Sequence, residues 1–489
     1  MILQSRGNLL LKAVLLGLLT SAAQAQVAKQ YQPTLESLNQ HPLPQWYADA
    51  KLGIFVHWGL YSVPGWAPLS HPEHDFRNTD YIKNNPYAEW YYNVMRIDGS
   101  PTQAYHREHY GANYDYYNFA SVFDRESMKW KPEQWASIFH DAGARYVVLT
   151  TKHHDGFTLW PSSIPNPTLP KDRQHATRDI VGELTTAVRR QGMRMGLYYS
   201  GGYDWTFVPG PIRVPADYQA VKPQSVAYGK YADAQIRELI ARYHPAVLWN
   251  DIDWPKSGDA LGIMADYYNT VPDGVIDDRF GVKHSDFTSP EYKKVDEIQT
   301  KKWEECRGLG RSFGYNRAEG EAETIAPDEL IYLLVDIVSK NGNLLLNIGP
   351  KSDGTITDQE TQVLLGTGKW LDVNGDAIYG TRPWKVYGEG PTKSASGSFA
   401  DQKVPFTAHD VRYTTKGDTL FMIAMGLPTD NLNIKSLSLK SGNGKIASIK
   451  ILGSDQPVGW KQKDEELMIE PSKTYPSEYA VSYVVNFAH

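Results

Sequence analysis

Residues 132–154 read PEQWASIFHDAGARYVVLTTKHH, and the fold turns on how this stretch divides. Trp135, Ile138, Phe139 and Ala142 recur at i, i+3, i+4 and i+7, the spacing of one apolar face of a helix. Pro132 suits the first helical turn, where its missing N–H costs no hydrogen bond, and Gly143 is a stop. At Tyr146-Val147-Val148-Leu149-Thr150 the period disappears. A short, continuously apolar run of this kind is a strand buried on both faces.

Outward from this unit the pattern repeats. Gly53-Ile54-Phe55-Val56-His57 reads as an earlier strand. Thr177 is the expected N-cap of a helix burying Val181, Leu184 and Val188, followed by the strand Met195–Tyr199. Ile236, Leu239, Ile240 and Tyr243 lead to the strand Ala246–Trp249, and Val275-Ile276 belongs to another. Ile331, Leu334, Val335 and Val338 feed Asn343–Asn347. Strands apolar on both faces and joined by crossover helices make a parallel sheet covered on both sides. Repetition over about 300 residues favours a (β/α)8-like barrel over a doubly wound open sheet. The Tyr/Trp/Asn/Pro-rich stretch between the first strand and about residue 130 has no assignable period. After Tyr379-Gly380 helical spacing ends. Short alternating runs such as Thr419–Ile423, with a turn signal at Asn443-Gly444, predict a C-terminal antiparallel β-sandwich that props the barrel. The expected boundaries are 26–380 for the barrel and 381–489 for the sandwich.

The 489 residues suffice for a barrel of ~250 and a second domain. A formal charge of -6 argues against a nucleic-acid or anionic-membrane partner. Residues 1–25 have the features of a signal peptide: basic Arg6 and Lys12, an apolar Ala13–Leu19, and Ala23-Gln24-Ala25 for cleavage. Export to the periplasm or the outside is therefore expected, without membrane insertion, since no later apolar run is long enough to span a bilayer. Cys306 is the only cysteine, so no intramolecular disulfide can form, and its simplest role is that of a small buried hydrophobe.

Ionisable residues collect where strands end. His57 ends its strand, and His153 and His154 follow theirs. Tyr198 lies near the end of another; Asp251 and Asp253 follow Val247–Asn250, and Asp277, Asp278 and Arg279 follow Val275-Ile276. Barrel enzymes build their sites at these C-terminal ends. A metal-dependent hydrolase is one reading of such a group. Neighbouring His153 and His154 should point to opposite sides of a strand, however, and no H-x-H or H-E-x-x-H pattern occurs. A G-x-S-x-G elbow is also missing. What remains is glycosyl transfer by two carboxylates, one ionised nucleophile and one protonated acid ~5–5.5 Å apart. Spacing leaves Asp251 and Asp253 equal as nucleophile, because both face one side of an extended chain.

At these residues the chain resembles the α-L-fucosidases of glycoside hydrolase family 29, over essentially the whole mature length. The resemblance runs through Gly53–Gly59, Glu89-Trp90, Thr151–Phe157, Tyr198–Gly202, Leu248–Asp251, Asp278-Arg279, Lys302–Glu304, Ser312–Tyr315 and Asn343–Pro350. It implies an exo-acting, retaining α-L-fucosidase that takes terminal fucose from oligosaccharides or glycoconjugates, with no metal and no cofactor. It further implies Asp251 as nucleophile, with Asp253 relegated to the rim, and Glu291 as general acid/base, with Glu304 and Glu305 as competitors for that role. His57, Glu89, Trp90, His153, His154, Tyr198 and Arg279 match the fucose-binding shell. Phe55, Trp249 and Phe313 are the expected niche for the sugar's methyl group. A fucose-binding protein without catalysis is the remaining alternative. The linkage preference and the oligomeric state stay open.

Overall fold

The computed structural model describes residues 30–69, 76–208, 210–392 and 404–488; the expected signal peptide, 1–25, lies outside them. Seven parallel strands form the main sheet: β1 (Leu52–Val56), β2 (Tyr146–Lys152), β3 (Arg194–Ser200), β4 (Val247–Asp251), β5 (Val275–Ile276), β6 (Trp303–Gly308) and β7 (Gly342–Ile348). Their order is β5-β4-β3-β2-β1-β7-β6, so β5 and β6 are the two free edges. The gap between them is filled by residues 286–292. Asp286 N–H donates to the Ile276 carbonyl (2.9 Å) on the β5 side, and Glu304 N–H donates to the Thr288 carbonyl (2.8 Å) on the β6 side. Cys306 N–H donates to the Pro290 carbonyl at 3.1 Å. This irregular eighth stave closes the barrel.

Alternation along each strand separates two cores. Phe55, Val148, Tyr198, Trp249, Cys306 and Leu345 point into the barrel, while Ile54, Val147, Leu197, Leu248 and Leu346 point to the helices outside. Both sets are buried, which is why the strands read as unbroken apolar runs. The outer helices are Pro132–Asp141, Ile180–Arg190, Val226–Tyr243, Ala260–Thr270, Pro327–Ser339 and Asp358–Asn374. Pro132 occupies the first turn, as expected. The Ile180–Arg190 helix is capped by Asp179, whose side chain accepts from Gly182 N–H, and not by Thr177. Thr177 N–H is instead bound to Asp124, so it ends the preceding loop.

The unassigned stretch before residue 130 folds into short helices, among them Thr79–Lys83, Pro101–His109 and Phe119–Ser127. Beyond the barrel, β12 (Ile446–Ile451), β15 (Val481–Phe487), β10 (Thr419–Ala424), β9 (Val411–Lys416) and β8 (Arg382–Glu389) form one antiparallel sheet in that order. A second sheet holds β11 (Leu432–Ile434), β14 (Leu467–Ile469) and β13 (Trp460–Gln462). The two make the C-terminal sandwich. In β10, Leu420 and Met422 face the sandwich core, whereas Phe421 and Ile423 join the barrel's core. Arg412 Nε adds an ion pair to Asp336 of the barrel at 2.6 Å. Asn443-Gly444 falls in an irregular bend; the tight hairpin turn is Gly417-Asp418, between the paired Lys416 and Thr419.

Candidate active site

A cavity of about 440 Å³ opens at the C-terminal ends of the barrel strands. All twelve expected site residues line it: Phe55, His57, Glu89, Trp90, His153, His154, Tyr198, Trp249, Asp251, Arg279, Glu291 and Phe313. Asp251 ends β4, level with Ser200 of β3, and receives the Tyr198 hydroxyl on Oδ2 at 2.8 Å. Arg279, from the loop after β5, donates through one nitrogen, Nη1, to Asp251 Oδ1 (3.0 Å) and to Glu291 Oε1 (2.8 Å). The two oxygens bound to that nitrogen are no more than roughly 6 Å apart, so both carboxylates can reach one bound sugar.

The guanidinium is itself fixed. Its Nε donates to Ser289 Oγ (3.0 Å), its Nη2 to the Ser289 carbonyl (2.6 Å), and it covers the Trp249 ring at 4.5 Å. Burial raises the Asp251 pKa, while the Arg279 charge and the Tyr198 hydrogen bond pull it down. The opposition keeps an anion within reach in a poorly hydrated place.

Asp253 does not line the cavity. The chain does not stay extended after Asp251: Ile252 and Asp253 have φ of 62° and 74°, so Asp253 turns away and pairs with Lys222 at 2.6 Å. Glu304 is fully buried at the barrel base. It accepts from the Tyr47 hydroxyl (2.8 Å), the Tyr146 hydroxyl (2.5 Å) and Trp249 Nε1 (3.2 Å). Glu305, its neighbour on β6, is absent from the cavity lining.

The histidines correct one expectation. Strand β2 ends at Lys152, so alternation no longer governs the next two residues, and both His153 and His154 line the cavity with ring centroids 4.0 Å apart. Among the described residues, no group of three or more His, Cys, Asp or Glu is arranged to hold a metal ion. His57 Nδ1 meets Asn347 Oδ1 (2.6 Å), and the Asn347 amide donates to the Phe313 carbonyl (2.7 Å). His154 Nδ1 meets Ser200 Oγ (2.7 Å), which in turn donates to the Tyr203 carbonyl (2.7 Å). In both, Nδ1 must carry the hydrogen, leaving Nε2 as an acceptor. Burial lowers both pKa values to about 3, so the rings are neutral at ordinary pH.

Glu89 sits on the short turn Ala88–Trp90, within the stretch that had no assignable period. Its Oε2 accepts from Gly314 N–H at 2.8 Å, with Ser312 Oγ at 3.2 Å. Burial raises its pKa to about 7. It therefore offers a carboxyl that either accepts or donates near neutrality. The sequence reading missed Phe76, Tyr87, Tyr203, Tyr218, Ile252, Pro290 and Cys306 in the lining. Cys306 lies on β6, a strand that the sequence reading did not assign; with that strand in place, period two puts Cys306 on the same side as Glu304. The tyrosines come from loops whose course no periodicity encodes.

The family model described as "Alpha-L-fucosidase" matches residues 18–376, and "Alpha-L-fucosidase C-terminal domain" matches 403–487. The tissue alpha-L-fucosidase of Homo sapiens is 33% identical, over 96% of this chain and 95% of its own. An alpha-L-fucosidase of Dictyostelium discoideum is also 33% identical, over 91% and 90%. The structure of a Thermotoga maritima alpha-fucosidase in complex with fucose superimposes with a TM-score of 0.81 at 41% identity, covering 93% of this chain and all of that one.

Proposed function

The chain belongs to the α-L-fucosidase family, a family of glycoside hydrolases, and on that premise we propose that it is an exo-acting, retaining enzyme releasing terminal L-fucose. Asp251 is the nucleophile: its oxygen bonds to C1 of fucose as the C1–O bond breaks, and the leaving oxygen takes the proton of Glu291. Glu291 then removes a proton from water, whose oxygen displaces Asp251 from C1, so fucose leaves with its original anomeric configuration. In the covalent intermediate Asp251 is a neutral ester, and the Arg279 contact falls to Glu291 alone as it acts as base. The acceptor nitrogens of His57 and His154 take hydroxyl hydrogens, and Glu89 pairs with a further hydroxyl. Phe55, Trp249 and Phe313 enclose the methyl group, where a 6-hydroxyl would stay unpaired.

One observation carries the reading: a single guanidinium nitrogen shared by two carboxylates, one at the end of β4 and one on the irregular stave 286–292, inside a cavity of monosaccharide scale. No metal or cofactor enters the scheme, and nucleic acid is no partner. Residues 1–25 are proposed to be cleaved on export, leaving a barrel to residue 380 and a sandwich beyond it. Among the described residues no helix is long and apolar enough to cross a membrane.

The test is hydrolysis of an aryl α-L-fucoside, with the first-formed anomer read by NMR. Wild type is expected to release α-L-fucose, with or without a chelator. Asp251→Ala is expected to lose turnover about 10³-fold or more and to regain part of it with azide, which replaces the missing carboxylate. First release of the β-anomer sinks double displacement. Binding of fucose without hydrolysis points to the non-catalytic alternative, and loss of activity with the chelator to metal-dependent hydrolysis.

A further inference from the structure

The eighth stave is fastened differently along its two edges. Toward β6 the main chain binds it: Glu304 N–H donates to the Thr288 carbonyl, Cys306 N–H to the Pro290 carbonyl, and Tyr292 N–H to the Cys306 carbonyl at 3.2 Å. Toward β5 the main-chain bond is at Asp286, and beyond it side chains take over. Asp278, just past the end of β5, accepts on one oxygen, Oδ1, both the Ser289 N–H (2.9 Å) and the Ser289 hydroxyl (3.0 Å). Ser289 in turn accepts from Arg279 on both of its own oxygens, from Nε on Oγ (3.0 Å) and from Nη2 on the carbonyl (2.6 Å). The last nitrogen of that guanidinium, Nη1, is the one that reaches Glu291 and Asp251.

A hydroxyl has one hydrogen to give. With Asp278 taking it, the Ser289 oxygen keeps its lone pairs for Arg279 Nε; without that acceptor the hydroxyl rotates freely, and a hydrogen turned toward the Nε–H opposes the bond. The bond to Ser289 N–H also fixes the main chain two residues before Glu291. If both were lost, Arg279 would keep its place over the Trp249 ring and its pairing with Asp251, so the slack would fall on the stave and on Glu291. Resting on the role given above to Glu291, we propose that Asp278 is a positioning residue for the acid/base step, holding Ser289 so that Arg279 and Glu291 meet in register. It does not line the cavity and acts only through Ser289. Its neighbour Asp277 is no substitute: it is fully buried and accepts instead from Asn250 N–H at 3.2 Å.

The readout is dependence on the leaving group. A sugar alcohol leaves as Glu291 protonates it, whereas an acidic nitrophenol leaves as its anion without help. The experiment compares kcat/KM for a nitrophenyl α-L-fucoside and for the fucosyl disaccharide that wild type cleaves best, in wild type, Asp278→Ala, Asp278→Asn and Glu291→Ala. Asp278→Ala is expected to lower the disaccharide value about tenfold or more and the nitrophenyl value by less than about threefold. Asp278→Asn keeps a carbonyl oxygen for both Ser289 bonds and should stay within about threefold of wild type on both substrates. Asp278 is exposed, so its removal leaves no buried gap, and an unfolded fraction would lower both substrates alike without imitating the split. Equal losses on both substrates, no loss on either, or Asp278→Asn as impaired as Asp278→Ala overturns the assignment. Glu291→Ala should show the same split more strongly. If it does and Asp278→Ala does not, this inference alone fails; if Glu291→Ala shows no split, the role given to Glu291 fails and takes the inference with it.

Discussion

The barrel buries carboxylates at both ends, and the ends treat them differently. At the top, Asp251 and Glu291 share one nitrogen of Arg279 beside an open cavity. At the base, Glu304 is sealed from solvent and takes hydrogen bonds from Tyr47, Tyr146 and Trp249. Trp249 joins the two ends, with Arg279 over its ring and its Nε1 on Glu304. A carboxylate satisfied by neutral donors on every side has nothing left to offer a substrate; one held by a shared cation beside empty space does. Burial and residue type alone do not mark a reactive group. The incompleteness of its partners does.

The sharpest way to break this contrast is a reciprocal pair of substitutions. Asp251→Ala should cost about 10³-fold or more in turnover and less than about 1 kcal/mol in stability, because Arg279 keeps its bond to Glu291 and water in the open cavity can take the Tyr198 hydroxyl. Glu304→Ala should do the reverse. It leaves two tyrosine hydroxyls and an indole N–H without their acceptor, which costs about 3 kcal/mol or more, while the folded fraction keeps turnover within about tenfold. Urea unfolding and aryl fucoside kinetics on the same preparations measure both. If Glu304→Ala loses turnover as completely as Asp251→Ala with its stability intact, the division between the ends is wrong.

The same contrast explains what could be read from the sequence. The barrel was legible because its strands are buried on both faces and leave long apolar runs, of which Tyr146–Thr150 is the clearest. The eighth stave was not. Residues 286–292 carry Pro290 and polar neighbours, and they belong to the barrel only through hydrogen bonds to β5 and β6, far away in the chain or across a loop. Glu291 lies on that stave, so only family resemblance could single it out. Asp251 and Asp253 were inseparable because the left-handed backbone at Ile252 and Asp253 leaves no signal in residue type. His153 and His154 were misjudged for a related reason: their strand ends one residue before them. Local pattern reports where the chain is regular, and this site is assembled where regularity stops.

A gentler change sharpens the account of the base. Burial raises the Glu304 pKa to about 7, against its ordinary carboxylate value near 4.5. Between those values the folded protein holds a proton that the unfolded chain releases. The contribution is thus full below about pH 4.5 and is lost as pH rises through about 7. Glu304→Gln cannot titrate. The stability of wild type relative to this variant should fall by about 2–3 kcal/mol between pH 5 and pH 8. Parallel urea curves across that range would show that Glu304 does not titrate on folding.

The smallest effect concerns the cations that share the base. Lys51 and Lys302 are buried, with neither ammonium hydrogen-bonded to another described residue, and the nearest acids are already engaged. Asp49 is paired with Arg382 at 2.7 Å, and Glu304 is held by its three donors. Burial first, then the Arg382 charge, lowers the Lys51 pKa to about 7, with Asp49 opposing. Here the folded state is the one that gives up its proton. Wild-type stability is fully present above the free-lysine value near 10.5 and declines as pH falls through about 7. Lys51→Met keeps the aliphatic stem and removes the charge, so it should stabilise the protein by about 1–2 kcal/mol at pH 6. The gain should shrink toward pH 10 and leave turnover unchanged, since Lys51 lies at the barrel end away from the cavity. A destabilised Lys51→Met at pH 6 would mean that the ammonium has a stabilising partner, and that the base, like the top, keeps a charge for a purpose.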